Sequence, residues 1–285
     1  MPTLRQLRDR VKSLKNTQQI TRAMKMVAGA RIRRAELAMK AARPYATAIG
    51  EMNRELASSG GGSHALLTER SSDKRAILLM TADKGLCGAF NSNLVRAALQ
   101  VASQASSPST LYLVGIKGRI QLRKTPHPVA QAWPLQGKPF VELAAEIASA
   151  VTGDFLAGKV DQVTLVSSRF VSTIVQRATP MQLLPIKRDP DAPAKSASTN
   201  SFEFEPDPGA VLAALLPKYV QFTIFQALLE TQASEFAAKL LAMSNATDNA
   251  GKLIDDLTLV MNKTRQAAIT KEILEIVGGA EALKG

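Results

Sequence analysis

The stretch LRQLRDRVKSLKNTQQITRAMKMVAGARIRRAELAMKAA, residues 4–42, decides the fold. Leu4, Leu7, Val11 and Leu14 step alternately by three and four. The steps continue through Gln18, Thr21, Lys25, Ala28, Ile32, Ala35, Met39 and Ala42. A 3.5-residue period marks a helix packed along a coiled-coil seam. Residues 3–57 contain a single proline, Pro44, and two interior glycines, Gly29 and Gly50. At ~1.5 Å per residue the helix is expected to run roughly 80 Å.

The other end of the chain repeats the pattern. After Pro217 no proline occurs for 68 residues. Leu240, Met243, Ala246, Ala250, Leu253, Leu257, Val260, Thr264, Ala267, Lys271 and Leu274 again step by three and four. A single helix here is expected to span roughly 95 Å. Neither helix buries its seam alone, so the two are expected to pair as an antiparallel coiled coil.

Between them the pattern changes. SSGGGSH (58–64) reads as a linker. AILLMTA (76–82), LYLVGIK (111–117) and VDQVTLVSSRF (160–170) read as strands, and helical patterns fall at about 89–104 and 139–156. Alternating strands and helices imply βαβ units in a mostly parallel sheet. QRATPMQLLP (176–185) is expected at the sheet edge because Pro180 removes a ladder donor. The regions are thus a helix at 1–57, an inserted α/β domain at 74–200 and a helix at 209–285.

Charge is uneven. Residues 1–57 hold 13 Lys and Arg against 4 Asp and Glu, a net +9, and the other 228 residues add +3. Lys25, Arg31, Arg33 and Arg34 cluster near the middle of the first helix. An acidic protein surface fits this helix better than nucleic acid, because the first aromatic is Tyr45 and no compact reading motif is present. No run approaches ~20 apolar residues, so no membrane span is expected. The start MPTLRQLRDRVKSLK has no apolar core of a secretory signal. Cys87 is the only cysteine, and with two histidines in polar or Pro-rich surroundings no metal site is expected.

TADKGLCGAFNSNL (81–94) lies where many α/β proteins hold a phosphate. Gly85 and Gly88 lack the Lys-Ser/Thr pair of a P-loop, and G-x-G-x-x-G is absent. They are expected to permit a tight turn, with no nucleotide or other cofactor bound. No nucleophile motif such as G-x-S-x-G occurs. Near the C-terminus, Ile273, Leu274, Ile276, Val277, Ala280, Ala282 and Leu283 spread around much of the helix, which predicts a surrounding protein.

Three motifs, NTQQITRAMKMVAGARIRRAE (16–36), DKGLCGAFN (83–91) and ATDNAGKLIDDLTLVMNKTRQAAITKEILEIVGGAEAL (246–283), resemble the gamma subunit of the F-type ATP synthase. The resemblance covers the whole chain, most weakly at 105–200. It implies an antiparallel coiled coil with an inserted Rossmann-like α/β domain. It also implies a central rotor shaft, not itself catalytic, surrounded by three alpha and three beta subunits. The epsilon subunit and the membrane rotor ring of c subunits complete the implied partners. By this resemblance an acidic lever loop of the beta subunit meets Met24, Lys25, Arg33 and Arg34. Arg265 and Gln266 match positions that hydrogen-bond a beta-subunit loop, and Thr270 and Glu272 match further polar contacts. Phe202, Phe204 and Glu205 match the foot near the membrane ring, and Ile273 to Leu283 match the part running in the ring's bearing. Two positions depart: Lys239 stands where the family commonly has Arg, without that residue's bidentate fork, and Met261 stands for the usual Tyr. A single cysteine excludes the plant regulatory pair, and the absence of a transit peptide implies a bacterial protein, peripheral on the cytoplasmic membrane face. Two other readings stay open: a polyanion-binding coiled coil, and a nucleotide-binding enzyme using the insert.

Overall fold

A computed structural model describes residues 3–58, 64–70, 73–187 and 207–282. The chain comprises helix α1 (Leu4–Ser58), strand β1 (Arg75–Met80), α2 (Phe90–Ala102), β2 (Thr110–Val114), α3 (Ile116–Leu122), β3 (Val129–Trp133), α4 (Phe140–Leu156), β4 (Gln162–Phe170), β5 (Gln176–Leu184) and α5 (Pro208–Ala282). It divides into two units: Met1–Ala28 with Leu240–Gly285, and Gly29–Lys239.

Both long helices begin on readable caps. Thr3 Oγ1 accepts from Gln6 N at 3.3 Å while Gln6 Oε1 accepts from Thr3 N at 3.0 Å, a reciprocal capping box. Asp207 Oδ1 accepts from Ala210 N at 2.9 Å, and Pro208 takes the first helical position, where no N–H is needed. Pro44 and Pro217 lie inside the helices without ending them.

In the first unit the α1 and α5 segments run antiparallel. Leu7, Val11, Thr21 and Ala28 are buried, with Leu4, Leu14, Gln18 and Lys25 half-buried, in the expected seam register. The α5 seam keeps the expected Met243, Ala250 and Leu257 but fills the alternate positions one residue later than expected. Leu253 and Val260 face solvent, while Thr247, Ala250 and Ile254 are buried and Leu257 and Met261 are half-buried. The seam therefore follows 243, 247, 250, 254, 257 and 261, with Thr247, Ile254 and Met261 in place of the expected Ala246, Leu253 and Val260. The expected seam members Ala267, Lys271 and Leu274 are exposed.

The second unit holds a five-stranded sheet of order β3-β2-β1-β4-β5. The β1–β2, β1–β4 and β2–β3 pairs are parallel, and β4–β5 is antiparallel. Pro180 sits on the edge strand β5, as its missing N–H requires. Alternation in β1 splits the core. Ala76, Leu78 and Met80 pack with α4 residues Leu143, Ile147, Val151 and Phe155 and with α5 residues Leu212, Leu216, Val220, Ile224 and Leu228. Ile77 and Leu79 pack with α2 residues Phe90, Leu94 and Ala98 on the other face. A third cluster joins Ile32 and Ala35 of α1 to Ala233, Phe236 and Ala237 of α5.

One expectation needs correction. The strand expected at 111–117 ends at Val114, because Gly115 turns the chain and Ile116 opens α3. Also, α5 contains an 18-residue window of mean hydropathy 1.4, long and apolar enough to cross a bilayer by composition alone. From Leu212 to Leu228 those apolar side chains belong to the sheet core.

Candidate partner-binding surfaces

In the first unit the seam turns polar at its centre. Thr247 Oγ1 donates to Thr21 Oγ1 at 2.8 Å, and both threonines are buried. Gln18 Nε2 donates to the Thr247 carbonyl at 3.5 Å and lies where a Cβ on Gly251 would meet it at 3.1 Å. Lys25 Nζ donates to Ser244 Oγ at 2.9 Å. Lys25 is thus half-buried and tied across the seam, with ammonium donors to spare, and Met24 beside it is also half-buried.

Beyond Thr264 the unit changes character. Every residue from Arg265 to Ala280 is exposed, and none of them is buried by a described residue of α1. Arg265, Gln266, Thr270 and Glu272 all lie on this length of α5. Ile269, Ile273, Ile276 and Ala280 form one stripe at helical spacing, and Leu274 and Val277 widen it. Ile276 is 71% exposed and Leu274 64%. The ion pair Lys271–Glu275, at 3.5 Å, is exposed on both sides and adds little stability.

Arg33 and Arg34 belong to the second unit, apart from Met24 and Lys25, and both are exposed. Nearby, Arg31 stacks its guanidinium 5.7 Å above the Phe236 ring. Lys239 Nζ pairs with Glu235 Oε1 at 2.8 Å, one turn away and largely buried. The lysine makes one hydrogen-bonded ion pair and also lies 5.8 Å above the Phe236 ring, so the departure from arginine leaves a pair without the bidentate fork. Burial pushes the Cys87 thiol above its ordinary value, the Glu235 carboxylate adds to that rise, and Lys239 opposes it. Phe202, Phe204 and Glu205 lie outside the described residues.

The DKGLCGAFN loop is closed by its own side chains. Asp83 Oδ1 accepts from Ile116 N at 3.0 Å and from Leu135 N at 3.1 Å, and Oδ2 accepts from Gln136 N at 2.8 Å. One carboxylate therefore ties the β1 loop to the start of α3 and to the chain after β3. Asn91 Oδ1 accepts from Ala82 N at 2.9 Å, and its Nδ2 donates to Cys87 Sγ at 3.3 Å. Gly115, at φ +92°, has no room for a Cβ, which would sit 2.0 Å from the Thr81 carbonyl oxygen. Gly88 has φ 57°, as the expected turn requires, but the second left-handed residue is Leu86 at φ 63°, not Gly85. The carboxylate and its three backbone donors thus join the carboxyl ends of β1, β2 and β3. Among the described residues no group of His, Cys, Asp and Glu is arranged to hold a metal ion. Asp83, Thr81 and Gly115 were not singled out from the sequence, and the one local signal was a glycine between a strand and a helix.

The ATP synthase family model matches residues 3–283. The ATP synthase gamma chain of Pelotomaculum thermopropionicum is 46% identical over 286 residues, covering 100% of both chains. This chain belongs to the ATP synthase gamma-chain family. The gamma chain of Desulforamulus reducens is 45% identical, again over 100% of both chains. A chain of the Tetrahymena thermophila mitochondrial ATP synthase central stalk and c-ring structure is 28% identical. It superposes with a TM-score of 0.62 over 80% of this chain and 99% of that one. A chain of the Euglena gracilis mitochondrial ATP synthase rotor shares the fold, with a TM-score of 0.68 and 21% identity over 93% and 98%. The family and fold expected from the three motifs are borne out.

Proposed function

We propose that the chain is a non-catalytic rotor shaft. It couples rotation of a membrane ring of c subunits to ATP synthesis or hydrolysis in a ring of three alpha and three beta subunits. The observation that carries this reading is the end of α5: a helix exposing Ile269, Ile273, Ile276, Leu274 and Val277 with no cover from the described residues of its own chain needs a sleeve. Isoleucine, valine and alanine offer such a sleeve contacts without directional bonds, which suits turning. Arg265, Gln266, Thr270 and Glu272, which offer directional hydrogen bonds, are assigned to a beta-subunit loop. Met24 and Lys25 in one unit, and Arg33 and Arg34 in the other, are assigned to acidic beta-subunit surfaces. Phe202, Phe204 and Glu205 are assigned to the foot, with epsilon and the c ring. The complex sits on the cytoplasmic face of a bacterial membrane. Each shaft angle then presents different contacts to each beta subunit and biases it towards one conformation, a population shift driven by differential binding.

The test is co-expression with matching alpha and beta subunits, followed by the mass and ATPase activity of the purified assembly. A probe belongs on exposed Gln104, as Gln104→Cys, because the native thiol at Cys87 is buried. One copy per ring with ATP-driven rotation of the probe is the expected result, and deletion of 273–285 is expected to weaken assembly or torque. A free chain beside an unaltered ring overturns the reading.

A further inference from the structure

From Gln162 to Lys187 the chain carries Arg169, Arg177 and Lys187 and not one Asp or Glu. This stretch is the β4–β5 hairpin, and its ladder sets Arg169 directly opposite Arg177. Like charges directly opposite each other destabilise an antiparallel pair. Both arginines are exposed, and neither has an ion-pair partner among the described residues. Strand alternation puts Val171 on the face of Arg169 and Val175 on the face of Arg177. Both valines are exposed. At the turn between them Ile174 is 75% exposed, the most of any large apolar side chain among the described residues.

The turn is held from within. Val171 N and Ser172 N both donate to the Val175 carbonyl, at 3.3 and 3.0 Å. Ser172 Oγ accepts from Ile174 N at 3.3 Å and from Val175 N at 3.1 Å. Gln176 Nε2 donates to the Ser172 and Thr173 carbonyls at 3.1 and 3.0 Å. Phe170, next to Arg169, packs on the cluster of Ile32 from α1 with Ala233, Phe236 and Ala237 from α5. The hairpin is therefore anchored to the helix that carries Arg33 and Arg34, and its apolar tip keeps one shape.

We propose that the β4–β5 hairpin is a docking knob for a protein segment that sets a carboxylate against Arg169 and Arg177 and an apolar pocket over Ile174. Charge complementarity gives the sign of the partner: the free chain bears the repulsion of the paired arginines, and a carboxylate shared between them relieves it. The small number of charges gives its kind. Two arginines hold a lipid surface or a nucleic acid weakly, because those partners are bound through many basic contacts. A tip of fixed shape matches a pocket of fixed shape and loses little freedom on docking. The inference rests on the reading of the chain as a subunit of a complex, and it adds a contact on an element to which that reading assigns none.

The test compares full-length parent, Ile174→Asn and Arg177→Glu. Ile174→Asn changes an exposed side chain, so the melting temperature is expected to stay put. Loss of the apolar knob is expected to weaken assembly with the purified alpha–beta ring and epsilon subunit about tenfold or more. Arg177→Glu places opposite charges across the ladder, so the free chain is expected to melt at a higher temperature than the parent. The same glutamate repels an acidic partner, so assembly is expected to weaken about tenfold, and more at low salt than at high. A more stable Arg177→Glu chain that assembles like the parent overturns the proposal, as does an unchanged affinity for Ile174→Asn. Arg177-dependent binding of the free chain to vesicles of three parts phosphatidylcholine to one part phosphatidylglycerol, or to polyuridylate, also overturns it. A parent chain that does not assemble removes the shaft reading and this proposal with it, whereas loss confined to the two variants supports both.

Discussion

Asp83→Ala isolates the contact that closes the β1 loop. The carboxylate accepts three backbone N–H donors at 2.8–3.1 Å, from Ile116, Leu135 and Gln136. A hydrogen bond to a charged group contributes roughly 1.5–3 kcal/mol when well buried. Asp83 is half-buried and two of its donors reach solvent, which reduces each to about 1 kcal/mol. Leu135 is 3% exposed, so water does not easily replace its lost partner. The substitution is expected to cost about 3 kcal/mol, and Asp83→Asn, which keeps an acceptor oxygen, about half that. The assay is urea unfolding followed by fluorescence of Trp133, the only tryptophan, which lies at the end of β3 two residues before Leu135. The midpoint should fall in the order parent, Asn, Ala with unchanged slope. A loss under about 1 kcal/mol for Ala, or equal losses for Ala and Asn, refutes the view that this carboxylate organises the loop.

Three further outcomes are expected. Thr21→Val leaves the Thr247 hydroxyl without its cross-seam partner and should lower stability by about 1–2 kcal/mol, while the double change with Thr247→Val should recover part of the loss in a thermal double-mutant cycle. Burial, helped by the hydrogen bond its hydroxyl donates to Asp154, raises the Tyr112 pKa. The unfolded chain then loses this proton near pH ~10 while the folded chain keeps it, so the stabilisation is whole below that pH and declines above it. Tyr112→Phe should flatten the alkaline limb of the stability profile measured by denaturant titration. Arg265→Ala should reduce ATP synthesis driven by an ion gradient more than Lys252→Ala, an equally exposed change on the paired part of α5. Equal rates in reconstituted vesicles would remove the case for a specific contact at Arg265.

How far the fold is legible depends on whether its cause is local. The α1 seam is readable from Leu4 to Met39 because its buried positions are small or apolar. The α5 seam is read correctly at Met243, Ala250 and Leu257 but misread between them, because its buried positions include Thr247 while Leu253 and Val260 point outward, so hydropathy places every second seam position one residue early. β3 escapes notice because VAQAW is short, four of its five residues are exposed, and its strand geometry comes from pairing with β2. Asp83 escapes notice for a different reason. Its donors lie 33–53 residues away, and no spacing rule joins them. The polar residues assigned to partners on α5 are visible only through resemblance, because an exposed Arg or Thr on a helix has no signature until something covers it.

The closed loop and the long helix answer the same physical requirement. In an open α/β sheet the crevice at the carboxyl ends of the strands holds a ligand when it is left empty. Here Asp83 ties together the carboxyl ends of β1, β2 and β3, and the sheet face that Leu78 and Met80 present is covered in part by α5 itself. Leu212, Leu216, Val220, Ile224 and Leu228 are each at most 3% exposed in this core. Burying five such side chains contributes about 8–15 kcal/mol. A helix held that firmly cannot slip on its sheet under load, so force applied to the α/β unit is delivered to α5. A fold that elsewhere binds nucleotides serves in this chain as a grip on a helix through its sheet face, while Asp83 separately ties the chain together at the carboxyl ends of β1, β2 and β3.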